Sequence, residues 1–256
     1  MAILTLEKVT KFFGGVRAVE GVSAEINERE ITSIIGPNGA GKTTLFNLIT
    51  GAYKPNEGNI KFGERSLIGL PPHVIYSLGI ARTFQNIRLF SSMSVLENVK
   101  VGCHAVLKPR VFDLFIPPRF KFIESVMEQR AKAVLDLVGL LPKADFKAIG
   151  LPYGERRRLE LARALVSDPQ IVLLDEPTAG MNEAEARELM QLIIRIKEEL
   201  KKTVILVEHN MRLVRSLSDR VIVLDHGRKI ADGRPEEVLR DPLVVQAYLG
   251  KSQKAT

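Results

Sequence analysis

The sequence predicts an α/β fold in which a helical block interrupts a largely parallel sheet. Two unbroken apolar runs, IVLL at 171–174 and VILV at 204–207, are typical of parallel strands that are covered on both faces. Strand and helix patterns alternate on either side of residues 91–155, where helical patterns dominate. The chain of 256 residues is long enough to bury the core of one large domain of this kind.

The N-terminal elements combine antiparallel strands with the first part of the parallel sheet. Residues 3–12 and 21–28 alternate apolar and polar side chains, as half-buried antiparallel strands do. EITSIIG at 30–36 is more continuously apolar, and an amphipathic helix follows Gly41. Further patterns predict a strand at GNIKFGE, a short helix at PPHVIYSLG and a strand that runs into a loop at IARTFQ.

The C-terminal elements continue the alternation after the helical block. Leu159, Ala162 and Leu165 share one face of a helix that follows LPYGE at 151–155. The remaining patterns predict strands at QIVLLDEP, KTVILVEH and RVIVLDHGRKIADG, with helices at NEAEARELMQLIIRIKEEL and Met211–Leu217 between them. We interpret the chain as one domain with a core and an antiparallel β-subdomain at 1–90 and 156–235, a helical subdomain at 91–155 and a C-terminal helical tail at 236–256.

Composition limits the classes of protein to which the chain can belong. It contains 45% hydrophobic and 26% charged residues, and no apolar run approaches the roughly 18 residues that span a bilayer. The N-terminus lacks the pattern of a secretory signal, and the only cysteine is Cys103, so we expect a cytoplasmic protein in which Cys103 is a small buried residue. The net charge of +7 admits nucleic acid, an anionic membrane surface or a phosphorylated ligand as partner.

The strongest chemical signal is GPNGAGKTT at 36–44, which matches the phosphate-binding pattern G-x-x-x-x-G-K-[ST]. Glycines permit tight turns that direct backbone N–H groups at phosphate oxygens. Lys42 supplies a positive charge to the β- and γ-phosphates, and the Thr43 hydroxyl coordinates Mg²⁺. Because the motif follows a predicted strand and opens a predicted helix, it predicts a P-loop NTPase core that binds nucleotide through Gly36, Asn38, Gly39, Ala40, Gly41, Lys42, Thr43 and Thr44.

Two acidic residues end the apolar strand IVLLDEP. In P-loop NTPases an aspartate in this place helps to hold Mg²⁺, which assigns that role to Asp175. Glu176 follows at the carboxyl tip of a strand beside the nucleotide, where it can polarise the attacking water as a general base. The alternative is that Glu176 is a solvated acid in a turn.

LPYGE joins a loop to the start of a helix. Proline followed closely by glycine signals a loop, and the residues after it have helical periodicity. The N–H groups and the dipole at a helix N-terminus favour anions, so this segment is a candidate anion-binding site. On these residues alone, an ordinary loop and cap is the simpler interpretation.

Six motifs occur in one fixed order along the chain: Phe13 in KFFGG, the P-loop, Gln85 in RTFQN, LPYGE, LLDEP and His209 in VEHN. Together they resemble the nucleotide-binding subunit of ATP-binding-cassette (ABC) transporters over essentially the whole chain. The resemblance implies the ABC ATPase fold, which has a RecA-like P-loop core, an N-terminal antiparallel β-subdomain and an inserted helical subdomain. It also implies hydrolysis of ATP with Mg²⁺.

The resemblance identifies LPYGE with the family's signature loop, usually LSGGQ, which acts on the ATP of the partner subunit in a head-to-tail dimer. The chain departs from this pattern, since Pro152 replaces a serine donor and Tyr153 replaces a glycine. Leu151 and Gly154 match the pattern, and Glu155 stands where glutamine is usual. We expect backbone donors from Gly154 onward to serve the phosphate, while the tyrosine hydroxyl either replaces the lost donor or points away.

The resemblance also assigns roles to single residues. Phe13 is similar to the aromatic residue that stacks on adenine, with a strand core residue as the alternative. Gln85 is similar to the glutamine that contacts Mg²⁺ and the lytic water, and His209 to the histidine that contacts the γ-phosphate. Asn182 stands where the family usually has an aspartate, so the usual contact between subunits is in question there.

An ATPase of this family needs other subunits in order to transport anything. The resemblance implies a second ATPase subunit, transmembrane permease subunits and a periplasmic or extracellular substrate-binding protein, with the chain on the inner face of the cell membrane and no direct nucleic-acid partner. LPYGE and the segment with Phe112, Phe115, Phe120 and Phe122 are similar to the ATPase of branched-chain amino-acid importers. The alternative for these phenylalanines is that they pack in the core of the helical subdomain. The alternatives for the whole protein are the ATPase of a lipopolysaccharide exporter and a nucleic-acid-associated ABC ATPase.

The loop that begins at Gln85 leads from the nucleotide towards the helical subdomain. We expect this loop and that subdomain to form a groove for a helix of the permease. A transient interface of this kind needs an apolar centre and a charged rim. The centre is expected at Phe84, Leu89 and Phe90, and the rim at Arg82 and Arg88.

Overall fold

The computed structural model describes residues 1–107 and 117–249 and contains two β-sheets with helices around them. Phe112 and Phe115 of the predicted aromatic segment lie outside the described residues, as do the last residues of the predicted C-terminal tail. Phe120 and Phe122 are described, and their exposed fractions of 39% and 69% are not those of core residues.

The N-terminal sheet is antiparallel, as the alternating sequence pattern predicts. Its strands are β1 (Ala2–Phe13), β2 (Val16–Asn27), β4 (Glu57–Phe62) and β5 (Arg65–Ser66), in the order β2-β1-β4-β5. Leu4 and Leu6 of β1 are buried and pair with Ile26 and Ala24 of β2. Sequence reasoning missed β5, because two polar residues carry no periodicity.

The second sheet is parallel except at one edge. It contains β3 (Ile31–Ile35), β6 (Ile80–Arg82), β7 (Ile171–Asp175), β8 (Thr203–Val207), β9 (Arg220–Asp225) and β10 (Arg228–Gly233), in the order β10-β9-β3-β8-β7-β6. Strand β10 pairs antiparallel with β9, and the other pairs are parallel. Every residue of β3, β7 and β8 is buried, as the unbroken apolar runs predict.

Helices connect the strands and form the block that interrupts them. They are α1 (Lys42–Ile49), α2 (Pro72–Ser77), α3 (Val95–Leu107), α4 (Pro117–Leu137), α5 (Tyr153–Leu165), α6 (Glu183–Glu198), α7 (Met211–Leu217), α8 (Pro235–Val238) and α9 (Pro242–Leu249). Helix α5 packs against α3 and α4. Within 1–107 and 117–249, none of the helices combines the length and the apolar character that crossing a bilayer requires.

One apolar cluster joins the helical block to the parallel sheet. It includes Val99 and Cys103 of α3, Leu135 of α4, Leu159 of α5 and Val172 of β7, all buried. Burial raises the pKa of the Cys103 thiol, and the residue is the small buried side chain that the sequence predicts. The helical block therefore shares its core with the sheet that carries the catalytic candidates.

The parallel sheet determines where those candidates meet. The carboxyl ends of parallel strands lie at one edge of a sheet, and ligands bind in the crevice outside that edge. The P-loop follows β3, Gln85 follows β6, Glu176 follows β7 and His209 follows β8. Residues far apart in the sequence are thereby brought to one edge.

Candidate active site

A cleft of about 420 Å³ lies at the carboxyl edge of the parallel sheet. The predicted phosphate-binding loop and the three predicted catalytic residues share it. The first three residues of β2 and a histidine in the turn between β9 and β10 also line the cleft. The lining residues are Val16, Arg17, Ala18, Asn38, Gly39, Ala40, Gly41, Lys42, Thr43, Thr44, Gln85, Glu176, His209 and His226.

Two glycines of the P-loop allow the chain to bend closely against its neighbours. Gly36 has a φ of 152°, and a Cβ there would lie 2.1 Å from the carbonyl oxygen of Leu224. Gly41 has a φ of 104°, and its Cβ would lie 2.4 Å from the carbonyl oxygen of Ala18. A side chain at either position would collide with backbone, so the loop requires glycine at both.

Lys42 is the first residue of α1, and its side chain folds back into the P-loop that precedes the helix. Its side chain is buried, and Nζ donates to the carbonyl oxygens of Gly36 at 2.7 Å and Pro37 at 3.0 Å. The first turn of α1 contains no acidic residue that would compete for its N–H groups. A buried ammonium and a helix N-terminus thus converge on the floor of the cleft, which suits a polyphosphate.

Glu176 is held between the other two predicted catalytic residues. Gln85 Nε2 donates to Glu176 Oε2 at 2.9 Å, and His209 Nε2 lies 2.7 Å from Oε1. Glu176 has a φ of 49°, which non-glycine residues adopt at a cost, and its N–H donates to the carbonyl of Val207 at 3.0 Å. The Glu176 carboxylate lines the cleft.

Glu208 is hydrogen-bonded to residues on both sides of the Glu176–His209 pair, and sequence reasoning missed it. Its buried carboxylate accepts hydrogen bonds from the hydroxyl of Thr178 at 2.6 Å and from the N–H of His209 at 3.1 Å. It therefore connects the segment after Glu176 to the segment that carries the histidine. The available signal was an acid directly before His209, at the end of a fully buried strand.

Asp175 is buried and forms an ion pair with Arg82. Arg82 Nη2 donates to Asp175 Oδ2 at 2.8 Å, and the two side chains are 8% and 2% exposed. Arg82 Nη1 also donates to Asn47 Oδ1 at 2.6 Å. The expectation that Arg82 lies at the rim of a docking groove is therefore wrong. The reason is that β6 lies beside β7, where a buried carboxylate needs a counter-charge.

The three predicted Mg²⁺ ligands, Thr43, Gln85 and Asp175, do not all line the cleft. Thr43 and Gln85 line the cleft, whereas Asp175 is not among its lining residues. In the described part of the chain, no three His, Cys, Asp or Glu side chains converge as a metal site would require.

Phe13 lies near the cleft but does not line it. Its ring is 44% exposed and makes an edge contact with Tyr53 at a centroid distance of 5.2 Å. Lys11 Nζ lies 5.1 Å from the centroid of the same ring. Phe13 is therefore not a strand core residue. Arg17 and His226, which do line the cleft, were missed because each sits in a turn or strand without a motif.

The LPYGE segment lies outside this cleft and starts α5. Pro152 is the N-cap residue, no side chain caps the helix, and Leu151 is buried. Glu155 accepts from Lys143 Nζ at 2.6 and 2.7 Å, so its carboxylate is engaged within the chain. A Cβ on Gly154 would lie 2.8 Å from Glu185 Oε1, so the chain itself crowds this glycine.

Comparison with known proteins identifies the family. A family model described as ABC transporter matches residues 19–179. The chain belongs to the ABC transporter family. A second model, described as branched-chain amino acid ATP-binding cassette transporter, matches residues 228–253.

Curated relatives within the ABC family align over nearly the whole chain. The high-affinity branched-chain amino acid transport ATP-binding protein LivG of Salmonella typhimurium is 46% identical over 251 residues, which cover 98% of each protein. LivG of Escherichia coli K12 is 44% identical with the same coverage. The ATP-binding protein BraF of Pseudomonas aeruginosa, named for the same transport, is 43% identical over 98% of each protein.

Solved ABC cassettes have the same fold. The ADP conformation of an ATP-binding cassette of an ABC transporter superposes with a TM-score of 0.86 at 35% identity, covering 98% of this chain and 99% of that one. A nucleotide-free cassette gives a TM-score of 0.85 at 35% identity, covering 97% and 99%. The predicted ABC ATPase fold is confirmed, and the chain is an ATP-hydrolysing transporter subunit.

Two departures from the usual ABC sequence, Tyr153 in the signature loop and Asn182 after LLDEP, have structural explanations. The Tyr153 hydroxyl donates to the carbonyl of Ala179 at 2.9 Å, so it is engaged within its own chain. Asn182 is the N-cap of α6, where its side chain accepts from the N–H groups of Ala184 and Glu185 at 2.9 Å. Glu185 completes a capping box by accepting from the N–H of Asn182 at 3.1 Å.

Proposed function

We propose that this ABC subunit powers the import of branched-chain or similar apolar amino acids, as a head-to-tail dimer that hydrolyses ATP with Mg²⁺. One observation carries the proposal: Gln85 and His209 hold the carboxylate of Glu176 at the edge of a P-loop cleft. The relatives named for branched-chain amino acid transport supply the substrate class. The matched C-terminal segment, residues 228–253, points to the same class.

The P-loop binds the phosphates of ATP. In the structure Lys42 Nζ donates to two carbonyl oxygens of its own loop. Phosphate oxygens are stronger acceptors for an ammonium than neutral carbonyls, so Lys42 exchanges these bonds for the β- and γ-phosphates when ATP enters. The N–H groups that begin α1 and the backbone of residues 38–41 surround the same phosphates.

Glu176 activates the attacking water. Both of its carboxylate oxygens have partners, Gln85 on one and His209 on the other. Each oxygen keeps a second lone pair, so the carboxylate can still accept a hydrogen bond from a water in the cleft. When ATP is bound, contact of Gln85 with the lytic water and of His209 with the γ-phosphate would replace these two hydrogen bonds and place the water beside the base.

Mg²⁺ is expected at the phosphate end of the cleft, where Thr43 and Gln85 would hold it together with oxygens of the nucleotide. Asp175, the third predicted ligand, does not line the cleft and is paired with Arg82, so it would have to turn from that partner to reach the ion. These three side chains provide hydroxyl, amide and carboxylate oxygens, which are the ligand types that Mg²⁺ prefers. The ion supplies positive charge against the charge that develops on the transferring phosphoryl group. The pair with Arg82 holds Asp175 in place at the end of β7.

The signature loop serves the nucleotide of a second ATPase subunit. Pro152 and Tyr153 are exposed at the start of α5, whose N–H groups are not capped by a side chain. A helix N-terminus of this kind attracts an anion. A related cassette has been solved as a dimer in a post-hydrolysis state with ADP and phosphate, with a TM-score of 0.76 at 28% identity, covering 91% of this chain and 98% of that one.

The surface around Phe90 receives the permease. Phe90 is 50% exposed, and the Arg88 guanidinium lies 4.5 Å from the ring centroid of Phe84. Leu89 is half-buried against the cluster shared by the helical block and the sheet. This arrangement gives an apolar centre with a charged edge beside the catalytic loop. Docking there holds the chain on the inner face of the membrane, and a substrate-binding protein joins on the opposite side through the permease.

The competing functions lack a comparable observation. A nucleic-acid ATPase is supported by the net charge of +7 alone, and no long coiled-coil pattern separates the P-loop from LPYGE. The ATPase of a lipopolysaccharide exporter shares the ERRR of the signature helix, at 155–158 here, but its signature loop normally begins with LSGG. The relatives with 43 to 46% identity are named for amino acid transport.

Uptake measurements test the proposal. Cells lacking this chain should take up radiolabelled leucine poorly, and expression of the chain should restore uptake while Glu176→Gln should not. Uptake of radiolabelled lysine serves as the control and should not change. Equal leucine uptake with and without the chain would refute the substrate assignment while leaving the ATPase chemistry intact.

The docking surface has its own test. Phe90→Asp and Leu89→Asp should abolish leucine uptake, while ATP hydrolysis by the isolated chain stays within about twofold of the parent. Leu243→Asp, at an exposed residue of α9, is the matched control and should retain uptake. Normal uptake with Phe90→Asp would place the permease elsewhere, and a parallel loss of hydrolysis with Leu89→Asp would identify Leu89 as a core residue.

A further inference from the structure

The hydroxyl of Tyr153 is a junction of hydrogen bonds within one subunit. It donates to the carbonyl oxygen of Ala179 at 2.9 Å and accepts from Arg157 Nη2 at 3.0 Å. A tyrosine hydroxyl has a single hydrogen to donate, and Ala179 takes it. This hydroxyl therefore does not replace the serine donor that Pro152 removes, which was one of the two possibilities left open by the sequence.

Arg157 connects this junction to the loop that carries Gln85. It is 5% exposed and donates to the carbonyl oxygen of Phe84 at 2.8 Å and to that of Gln85. Glu160, also buried, pairs with Arg157 at 3.4 Å and accepts from the N–H of Phe84 at 3.3 Å. Burial raises the pKa of Glu160. One turn of α5 thus holds the backbone on both sides of Phe84.

Ala179 connects the junction to Glu176. It lies in the loop between Glu176 and α6, and its N–H donates to the carbonyl of Glu176 at 3.2 Å. The next residue, Gly180, has a φ of 79°, and a Cβ there would lie 3.3 Å from the Tyr153 ring. The ring therefore packs directly on this loop, and a side chain at Gly180 would press against it.

The two catalytic loops are consequently linked twice. In the cleft, the Gln85 side chain donates to the Glu176 carboxylate. Behind the cleft, the backbone of Gln85 is linked through Arg157 and the Tyr153 hydroxyl to Ala179. The second link passes through the start of α5, from Tyr153 in the signature loop to Arg157 one turn later.

We propose that Tyr153 is a positioning residue, which ties the signature loop to the Gln85 loop and to the Glu176 loop of the same subunit. A displacement of α5 on contact with the nucleotide of a partner subunit then moves both loops of its own active site together. A glycine at this position, as in the usual signature loop, cannot make this link. The proposal rests on the roles proposed above for Gln85 and Glu176.

The test is Tyr153→Phe in the full-length chain. The variant retains the ring that packs on Gly180 and under Arg157, and it removes the hydroxyl that joins Arg157 to Ala179. We expect kcat for ATP hydrolysis to fall about tenfold with KM for ATP unchanged, because nucleotide binding does not use this hydroxyl. In a Glu176→Gln background, Tyr153→Phe should still form the ATP-bound dimer.

A matched control is Tyr76→Phe. The single hydrogen of the Tyr76 hydroxyl is likewise directed at backbone, where the carbonyl oxygens of Gly102 at 3.2 Å and Arg163 at 3.4 Å share it, and neither belongs to a catalytic loop. Its loss should leave kcat and KM unchanged. Equal kcat for Tyr153→Phe and the parent would overturn the proposal, as would an equal loss with Tyr76→Phe.

Two further outcomes separate this proposal from the proposed function. A raised KM together with loss of the ATP-bound dimer in Tyr153→Phe would mean that the hydroxyl serves the nucleotide, which overturns the positioning role alone. Hydrolysis retained by Glu176→Gln with Tyr153 intact would instead refute the proposed base, and with it the premise of the link.

Discussion

The starts of α1 and α5 are both helix N-termini suited to an anion, and the chain surrounds them differently. At the start of α1, Lys42 is buried and the P-loop bends around a cleft that also holds Glu176. At the start of α5, Pro152 and Tyr153 are exposed and lie outside the cleft that holds the catalytic side chains. The first start lies at the floor of a cleft, and the second lies at the open surface.

The difference explains which departures from the family pattern each region tolerates. In the P-loop, a Cβ on Gly36 or Gly41 would lie 2.1 or 2.4 Å from a backbone carbonyl oxygen, so no other residue fits. In the signature loop, Tyr153 and Glu155 replace the usual residues and find partners within the chain, Ala179 and Lys143. An open helix start leaves the side chains room to form such contacts.

The largest expected effect is at the P-loop cleft. Glu176→Gln should reduce ATP hydrolysis by about 10³-fold with ATP affinity nearly unchanged, because it removes a base and little volume. Steady-state phosphate release and nucleotide titration measure the two quantities. Glu183→Gln, at the exposed first turn of α6, is the control and should hydrolyse ATP normally. Hydrolysis near the parental rate in Glu176→Gln would show that Glu176 is not the base.

Lys42→Ala should lower the affinity for ATP rather than the rate of the hydrolysis step alone. Removal of a charged donor to phosphate should weaken ATP affinity by about 10- to 100-fold. Titration with a fluorescent ATP analogue measures the affinity. Lys11→Ala is the control: this lysine of β1 does not line the cleft, so its loss should change the affinity much less. An unchanged affinity in Lys42→Ala would show that the backbone donors of the loop suffice alone.

Gly154→Val tests the open site. Its side chain would displace Glu185 from the α6 capping box, which should lower the free energy of unfolding by about 1 kcal/mol. It would also cover the N–H groups at the start of α5 and prevent the ATP-bound dimer in a Glu176→Gln background. Glu185→Ala separates the two effects, since it loses the cap and should still form the dimer. Dimerisation by Gly154→Val, measured by size-exclusion chromatography with ATP, would contradict a role for this helix start.

The smallest effect is expected from Pro152→Ser. A serine at this N-cap can accept a hydrogen bond that proline cannot, which should raise the free energy of unfolding by about 0.5 to 1 kcal/mol. Hydrolysis should stay within about twofold of the parent. Pro71→Ser is a matched control, because Pro71 is the N-cap of α2 and likewise lacks a side-chain cap bond. A large loss of hydrolysis in Pro152→Ser alone would mean that the proline itself shapes the signature loop.

The sequence alone determined the sheet, the P-loop and the family. Unbroken apolar runs are sufficient to predict buried parallel strands, and the runs at β7 and β8 are buried throughout. The P-loop was predictable because its function depends on consecutive residues and on glycines whose role is local. The order of motifs along the chain then identified the ABC family, as the match to residues 19–179 confirms.

The tertiary structure decided which side chains meet across the sheet. The ion pair of Arg82 with Asp175 depends on β6 lying beside β7, and no local pattern encodes that adjacency. The contact of Tyr153 with Ala179 likewise joins the start of α5 to a loop from the edge of the sheet. Periodicity and motifs report on neighbours along the chain, whereas the partner of a polar side chain is fixed only when the packed elements bring a donor and an acceptor within about 3 Å of each other.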